Sequence, residues 1–382
     1  MTHTLKVASI QMDVTPGSVK ERLERAERLA EAAAQAGAQL IAFPEVFNTG
    51  YAYHPQNYQL AETLDGPTFT WMRQTAARLH AHLAGTLLLR DQTDIYNALI
   101  LMAPDGRYWR YNKNYPWAWE RAYFRDDHRT VVARTELGDI GLLICWDVAH
   151  ADLWRQYAGR VDLMVICSSP PRVTQPTYHL PDGATLGWQD MGPAFRSMQD
   201  AGALVFGQMV SEQTAWLGVP ALYTSHCGQF RSTLPNAGAS LALMVPAAPW
   251  LAKYMPVADQ MEMACGMVSG GKILTAGGQV QAEQTLEAGE SCLLGEVTLG
   301  ETHPQTHGSQ PAQRGPRLTY LLSDVALTAL AIPAYRAGAR LAWGAHMAPV
   351  DNSTRRWLPA LGLGAAVALG LGYWLGRCSR KG

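Results

Sequence analysis

Apolar and polar residues alternate over residues 5–12 (LKVASIQM), the two-residue period of a half-buried strand. Over 18–37 (SVKERLERAERLAEAAAQAG) the period lengthens to that of an amphipathic helix, with Ser18 as its N-cap and Gly37 as its C-cap. A short apolar run, AQLIAFPE (38–45), then ends in Pro44-Glu45, so the chain opens as a β-α-β unit. Downstream, the pattern predicts a helix over 67–81 and strands near 83–90, 95–102 and 107–113, with a PDG turn at 104–106. VVARTELGDIGLLICWD reads as a hairpin turning near Gly138-Asp139 whose second arm ends at Cys145. Beyond it the pattern predicts a helix near 150–158, a strand over 162–169, a helix near 187–200 and a strand over 203–210 (ALVFGQMV). Strands near 227–232, 272–275, 278–284 and 291–298 complete it. Strands and helices mixed at this spacing imply layered α/β structure with sheets covered by helices on their outer faces.

Three segments stand apart from this body. Residues 234–268 are rich in Ala, Met and Pro and nearly uncharged, a long insertion where a short turn would suffice. Residues 317–343 read as a helix interrupted at Pro333, apolar on one side and carrying Arg336 and Arg340 near its end, suited to a membrane surface or a partner subunit. WLPALGLGAAVALGLGYWLG (357–376) has no charge, lies between Arg355-Arg356 and Arg377, and matches the roughly 20 apolar residues that span a bilayer. Trp357, Tyr373 and Trp374 near its ends suit the membrane boundary. The alternative, a buried C-terminal helix, is opposed by its many glycines. Gly364, Ala368, Gly372 and Gly376 form a small-residue stripe on which such helices can pack. The reading is a domain over 1–300, a linker and helical extension over 301–356, and a transmembrane helix over 357–376.

Composition narrows the function classes. With 382 residues, 48% hydrophobic content and a formal net charge of -1, the chain offers no basic surface for nucleic acid. Six cysteines, at 145, 167, 227, 265, 292 and 378, form no C-x-x-C pair and suggest a reducing compartment rather than a disulfide frame or metal cluster. The N-terminus lacks the basic and apolar regions of a signal peptide, so the bulk of the chain, ahead of the membrane segment, is expected on the cytoplasmic side.

Breaking an unactivated amide or nitrile requires a nucleophile, a base, an acid for the leaving nitrogen, and a positive or N–H-rich site for developing negative charge. Glu45 in FPEVFNTGY, Lys113 in YWRYNKNYPWAWE and Cys145 in GLLICWD each end a predicted strand, and strand ends can converge on one pocket. Taken singly, each has a plainer explanation. An apolar cysteine is usually packing, as Cys167 in MVICSS illustrates, and a lone Glu or Lys usually sits in a turn or on a solvated face. The ordered conjunction carries the specificity.

These stretches resemble the nitrilase superfamily of carbon-nitrogen hydrolases, over roughly residues 5–300. The resemblance implies a four-layer α-β-β-α sandwich and a subunit that pairs with copies of itself, with no metal or organic cofactor. It also implies Cys145 as nucleophile, Glu45 as general base, Lys113 as the cation stabilising the tetrahedral intermediate, and the Trp146 backbone N–H as second oxyanion donor. Glu120, seven residues past the lysine, would be a second pocket carboxylate. Lys113, Trp117, Glu120 and Phe124 match the amidase-type pattern, which favours an amide over a nitrile. Tyr51 and Ser169 are further candidates for binding substrate. The chain departs from the family after the nucleophile, where Asp147 is kept but Ala149, His150, Ala151 and Asp152 follow, and after the lysine, where Asn114-Tyr115 replace His-Leu. Two alternatives stay open: acyl transfer to an amine or lipid acceptor, and a catalytically silent membrane scaffold.

Overall fold

A computed structural model describes residues 2–344 apart from 192 and 247. The proposed membrane helix 357–376 and Cys378 lie outside the described residues. The first sheet carries β1 (His3–Asp13), β2 (Leu40–Ala42), β3 (His82–Asp91), β4 (Asp94–Met102) and β5 (Tyr108–Asn112). The second carries β6 (Val132–Thr135), β7 (Gly138–Ile144) and β8 (Leu163–Cys167). A small sheet follows with β9 (Thr177–His179) and β10 (Thr185–Gly187); the second sheet then gains β11 (Ala221–Cys227) and the small one β12 (Gln229–Thr233) and β13 (Glu262–Gly266). Finally β14 (Lys272–Leu274) and β15 (Val280–Glu283) join the second sheet, and β16 (Ser291–Leu299) pairs with β1.

The two large sheets face each other across Leu5, Val7, Leu40 and Leu99 on one side and Leu142, Ile144, Val165 and Leu222 on the other. They join where the end of β1 bonds β11, Gln11 to Ser225 through Asp13 to Cys227. The opposite face of β1, through Ala8, Ile10 and Met12, is covered by α1 (Val19–Gln35) with its Leu23, Ala26, Ala30 and Ala33, and by α2 (Pro67–Leu79). Ser18 caps α1 by accepting from the Glu21 amide, and Gly37 follows at φ +91°. The second sheet is covered by α3 (Ala151–Tyr157) and by a helix over 201–217. This is the α-β-β-α order.

The structure corrects several sequence expectations. ALVFGQMV is not a strand: it belongs to the 201–217 helix, with a π segment at Leu204–Met209 and a left-handed cap at Gly218. A short apolar run does not separate a buried strand from a buried helix. The strand is the next segment, Ala221–Cys227, which pairs in parallel with β8. The helix expected near 187–200 is only the short turns Trp188–Met191 and Pro193–Arg196. Residues 234–268 are no open loop but an α-helix, Ala237–Met244, a 3-10 segment, Pro249–Gln260, and β13, and their Leu241, Leu251 and Tyr254 share an apolar cluster with Tyr51, Tyr53 and Trp119.

The C-terminal extension is docked rather than detached. Gln310 and Gln313 donate to the carbonyls of Ala151 and Ala149, and Arg314 pairs with Glu212 at 2.7 Å. The helix Arg317–Trp343 then runs through Pro333 without interruption and packs on the sandwich itself, burying Ala331 and Tyr335 in the cluster that holds Trp119 and Tyr123. It is the one helix among the described residues long and apolar enough to cross a membrane, and a third of its most apolar window is buried.

Candidate active site

Strand direction brings the reactive residues together. β2 runs parallel to β1 and β3, and two antiparallel steps through β4 restore that direction in β5. β7 runs parallel to β8, β8 to β11, and β11 to β1. Therefore β2, β5 and β7 all finish at one end of the sandwich, and Glu45, Lys113 and Cys145 follow these three ends, at the location where open α/β sheets bind ligands.

Lys113 is completely buried, its Nζ 2.7 Å from Glu45 Oε1 and 2.6 Å from Glu120 Oε2. Glu45 Oε1 also accepts from Asn97 Nδ2 at 2.7 Å, while Oε2 is buried without an N–H or O–H partner beside the Cys145 thiol. Glu120 accepts from the Trp117 amide at 2.6 Å and from the Tyr51 hydroxyl. Two carboxylates thus bracket one ammonium. Burial pushes the Glu45 carboxyl up to about 7, Lys113 opposing and Glu120 adding to the rise. Burial alone would lower Lys113, but Glu120, Glu45 and the thiol outweigh it and hold the ammonium charged far above neutrality. Burial and then the Glu45 charge hold the Cys145 thiol well above its ordinary value, against Lys113 and the Ser169 amide. Near neutral pH the proton therefore rests on sulfur, with a partly ionised carboxylate beside it to receive it, the arrangement for general-base assistance at the moment of attack.

Backbone strain concentrates here. Val46, Ala118 and Cys145 occupy the left-handed region at φ 52°, 41° and 45°, positions that cost non-glycine residues of order 1–3 kcal/mol each. Each belongs to or adjoins a turn that turns a functional side chain into the site. Asp147 holds two of these turns in register. Its Oδ1 accepts from the Asn114 and Tyr115 amides at 3.1 and 2.8 Å, and its Oδ2 from the Tyr111 hydroxyl and the Ile144 amide at 2.7 and 3.1 Å. The residues after Lys113 and before Cys145 are thereby tied to one buried carboxylate.

A pocket of about 480 Å³, counting its open mouth, leads to the sulfur. Cys145, Glu120, Tyr51, Trp117 and Trp146 line it, whereas Glu45 and Lys113 lie fully buried behind. Ser169 does not line it: its hydroxyl is engaged with His226 Nδ1 at 2.9 Å, whose Nε2 faces Arg22, and its backbone amide is the group that meets the thiol. His150 stacks on Tyr115 at 3.5 Å, away from any pairing with the thiol among its hydrogen-bond partners. Sequence reading missed Asn97, Tyr53, Phe206 and Thr319. An asparagine on the apolar strand NALILM was a legible signal for a buried polar contact; Phe206 and Thr319 reach the pocket from the misread helix and the extension. Among the described residues no group of His, Cys, Asp and Glu is placed to hold a metal.

Residues 6–184 match the family model for carbon-nitrogen hydrolases. The chain is similar to a probable nitrilase of Schizosaccharomyces pombe, 27% identical over 171 residues that cover 43% of this chain and 63% of that protein. It is equally similar, at 27% over 154 residues, to an (R)-stereoselective amidase of a Pseudomonas species, covering 40% of this chain and 56% of the relative. The chain thus spans less than two thirds of the length of these curated relatives. Among solved structures it resembles the nitrilase-superfamily amidase of Nesterenkonia, of which a cysteine-to-alanine mutant was determined with butyramide: TM-score 0.54, 16% identity, covering 76% of this chain and 90% of that one.

Proposed function

We propose that this chain, whose residues 6–184 match the carbon-nitrogen hydrolase family model, hydrolyses an amide through a thioester on Cys145. The observation that carries this reading is the buried contact of Lys113 with both Glu45 and Glu120 behind the thiol. Sγ attacks the amide carbonyl as Glu45 takes the thiol proton, and Lys113 with the Trp146 amide stabilises the oxyanion. Glu45 returns the proton to the departing nitrogen, ammonia or an amine leaves, and the thioester remains. A water that gives its proton to Glu45 then attacks the thioester, the thiol recovers that proton, and the acid is released. Glu120 fixes the Lys113 ammonium and, through Tyr51, the pocket wall.

Amide is favoured over nitrile because Glu120, Trp117 and Phe124 match the amidase-like pattern; among the described residues that line the pocket none is a Lys or Arg to pair a substrate carboxylate. A short, uncharged acyl group suits it. Ammonia release from a panel of short amides and nitriles tests this: turnover of amides is expected, and turnover confined to nitriles would reverse the choice. Acyl transfer to a lipid or amine is the second reading, favoured by the exposed Leu243, Trp250 and Met255 of the 234–268 segment. Mass spectrometry of acylated lipid products discriminates the two. The intact triad speaks against a silent scaffold.

We further propose a homo-oligomer anchored by 357–376 with its catalytic body on the cytoplasmic side. Cell fractionation checks the anchor: the full chain is expected in the membrane pellet and a chain lacking 357–376 in the supernatant. Recovery of both in the supernatant would refute it.

A further inference from the structure

The helix Arg317–Trp343 lies beyond the part of the chain that matches the family, yet it touches the nucleophile's own turn. Trp146, the residue after the nucleophile, is 3% exposed and lines the pocket. Its indole Nε1 donates to Asp324 Oδ1 at 3.0 Å, and its ring lies 5.4 Å from that of Tyr320 on the same helix and 6.3 Å from Phe206. The Tyr320 hydroxyl meets the carbonyl of Ala149, which closes the nucleophile turn, at 3.2 Å. Ser323 Oγ donates to Asp324 Oδ1, so the acceptor is itself held in place, and His150 Nε2 stands near its Oδ2 at 3.6 Å without a hydrogen bond. One turn earlier Thr319, buried, forms part of the pocket wall. The far end is fastened as well: the Tyr335 hydroxyl bonds Asp94 at 2.9 Å and accepts the Ile95 amide at 3.0 Å.

We propose that this helix is a specificity element of the active site, with Asp324 as a positioning residue that fixes the plane of the Trp146 indole and Thr319 as the wall that limits acyl length. A buried indole N–H without an acceptor costs free energy. Loss of the Asp324 carboxylate would therefore release the ring from the orientation in which it borders the substrate, while Glu45, Lys113 and Cys145 keep their own contacts. The substrate class selected is an uncharged amide whose acyl chain is short enough to stop at Thr319. The inference rests on the amide reading for its substrate but not for its test.

The test uses the full chain and straight-chain aldehydes from ethanal to hexanal as probes. The aldehyde carbon adds to Cys145 Sγ and the thiol proton ends on oxygen, so a thiohemiacetal forms with no leaving group. Protection of Cys145 from iodoacetamide, followed by peptide mapping, reads binding without amide turnover. The wild type is expected to discriminate among chain lengths. Asp324→Ala should flatten that profile at least tenfold and Asp324→Asn, which keeps an acceptor oxygen, should restore it, with iodoacetamide labelling in the absence of aldehyde changing less than threefold. Thr319→Leu, an independent variant, should shift the preference toward shorter aldehydes. A wild-type length profile in Asp324→Ala, an equal loss for every aldehyde, or unchanged hexanal protection in Thr319→Leu would each overturn the inference. If the aldehydes behave as expected while no amide is turned over, the hydrolysis reading fails and the positioning role stands.

Discussion

Replacing Lys113 by Met removes one ammonium and leaves the linear side chain nearly isosteric. In the folded protein Nζ is fully buried, 2.7 Å from Glu45 and 2.6 Å from Glu120, so the variant encloses carboxylates with no counter-charge. Breaking a buried ion pair from one side costs about 3–5 kcal/mol, far more than an exposed pair, because the remaining charge stays desolvated. The penalty should depend on pH in a definite direction. The Glu45 carboxyl is already raised to about 7 with Lys113 present, and without the lysine it rises further. A group whose folded pKa exceeds its unfolded value favours the folded state fully below the unfolded value, and that advantage is lost as pH rises through the folded one. The gap between wild type and Lys113→Met should thus be widest near pH 8 and shrink by at least half near pH 5. Urea denaturation at both pH values measures it, and Lys113→Met/Glu120→Gln should recover part of the loss because one carboxylate is gone. A gap below about 1 kcal/mol at pH 8, or one that ignores pH, would refute the assignment of a desolvated ammonium held between two carboxylates.

Other outcomes are open to direct measurement. Cys145→Ala should abolish acyl-enzyme formation, seen as the absence of an adduct by intact mass, while changing urea stability by less than about 1 kcal/mol. In the wild type, kcat/KM should rise about tenfold per pH unit up to about 7 and then level, because the base must be ionised to take the thiol proton; a flat profile from pH 5.5 to 8 would remove Glu45 from that role. Asp147→Ala should cost about 3–5 kcal/mol, since the buried amides of Asn114, Tyr115 and Ile144 lose their acceptor, and Asp147→Asn clearly less. Equal effects of the two substitutions would show that the carboxylate's hydrogen bonds do not hold the turns.

The sequence by itself determined the layered α/β class, the strand ends at which Glu45, Lys113 and Cys145 stand, and the helix capped by Ser18. These rest on local period and local backbone chemistry, which a single chain displays in order. Glu120 and Trp117 were legible through the resemblance to the nitrilase superfamily, which implies a second pocket carboxylate a few residues past Lys113. Tertiary structure alone decided the rest. That Asn97 donates to Glu45 Oε1, that the Ser169 amide rather than its hydroxyl meets the thiol, and that Asp147 joins two turns depends on strands brought together from distant segments. ALVFGQMV is helical, with Val205, Phe206, Met209 and Val210 buried and Ala203 and Gln208 exposed, a spacing that eight residues are too few to separate from a short apolar strand. The placement of Asp324 against Trp146, 178 residues away in sequence, reflects docking of an apolar helix onto the body. Hydrophobic burial is non-directional, and its partner is chosen only once the surfaces exist.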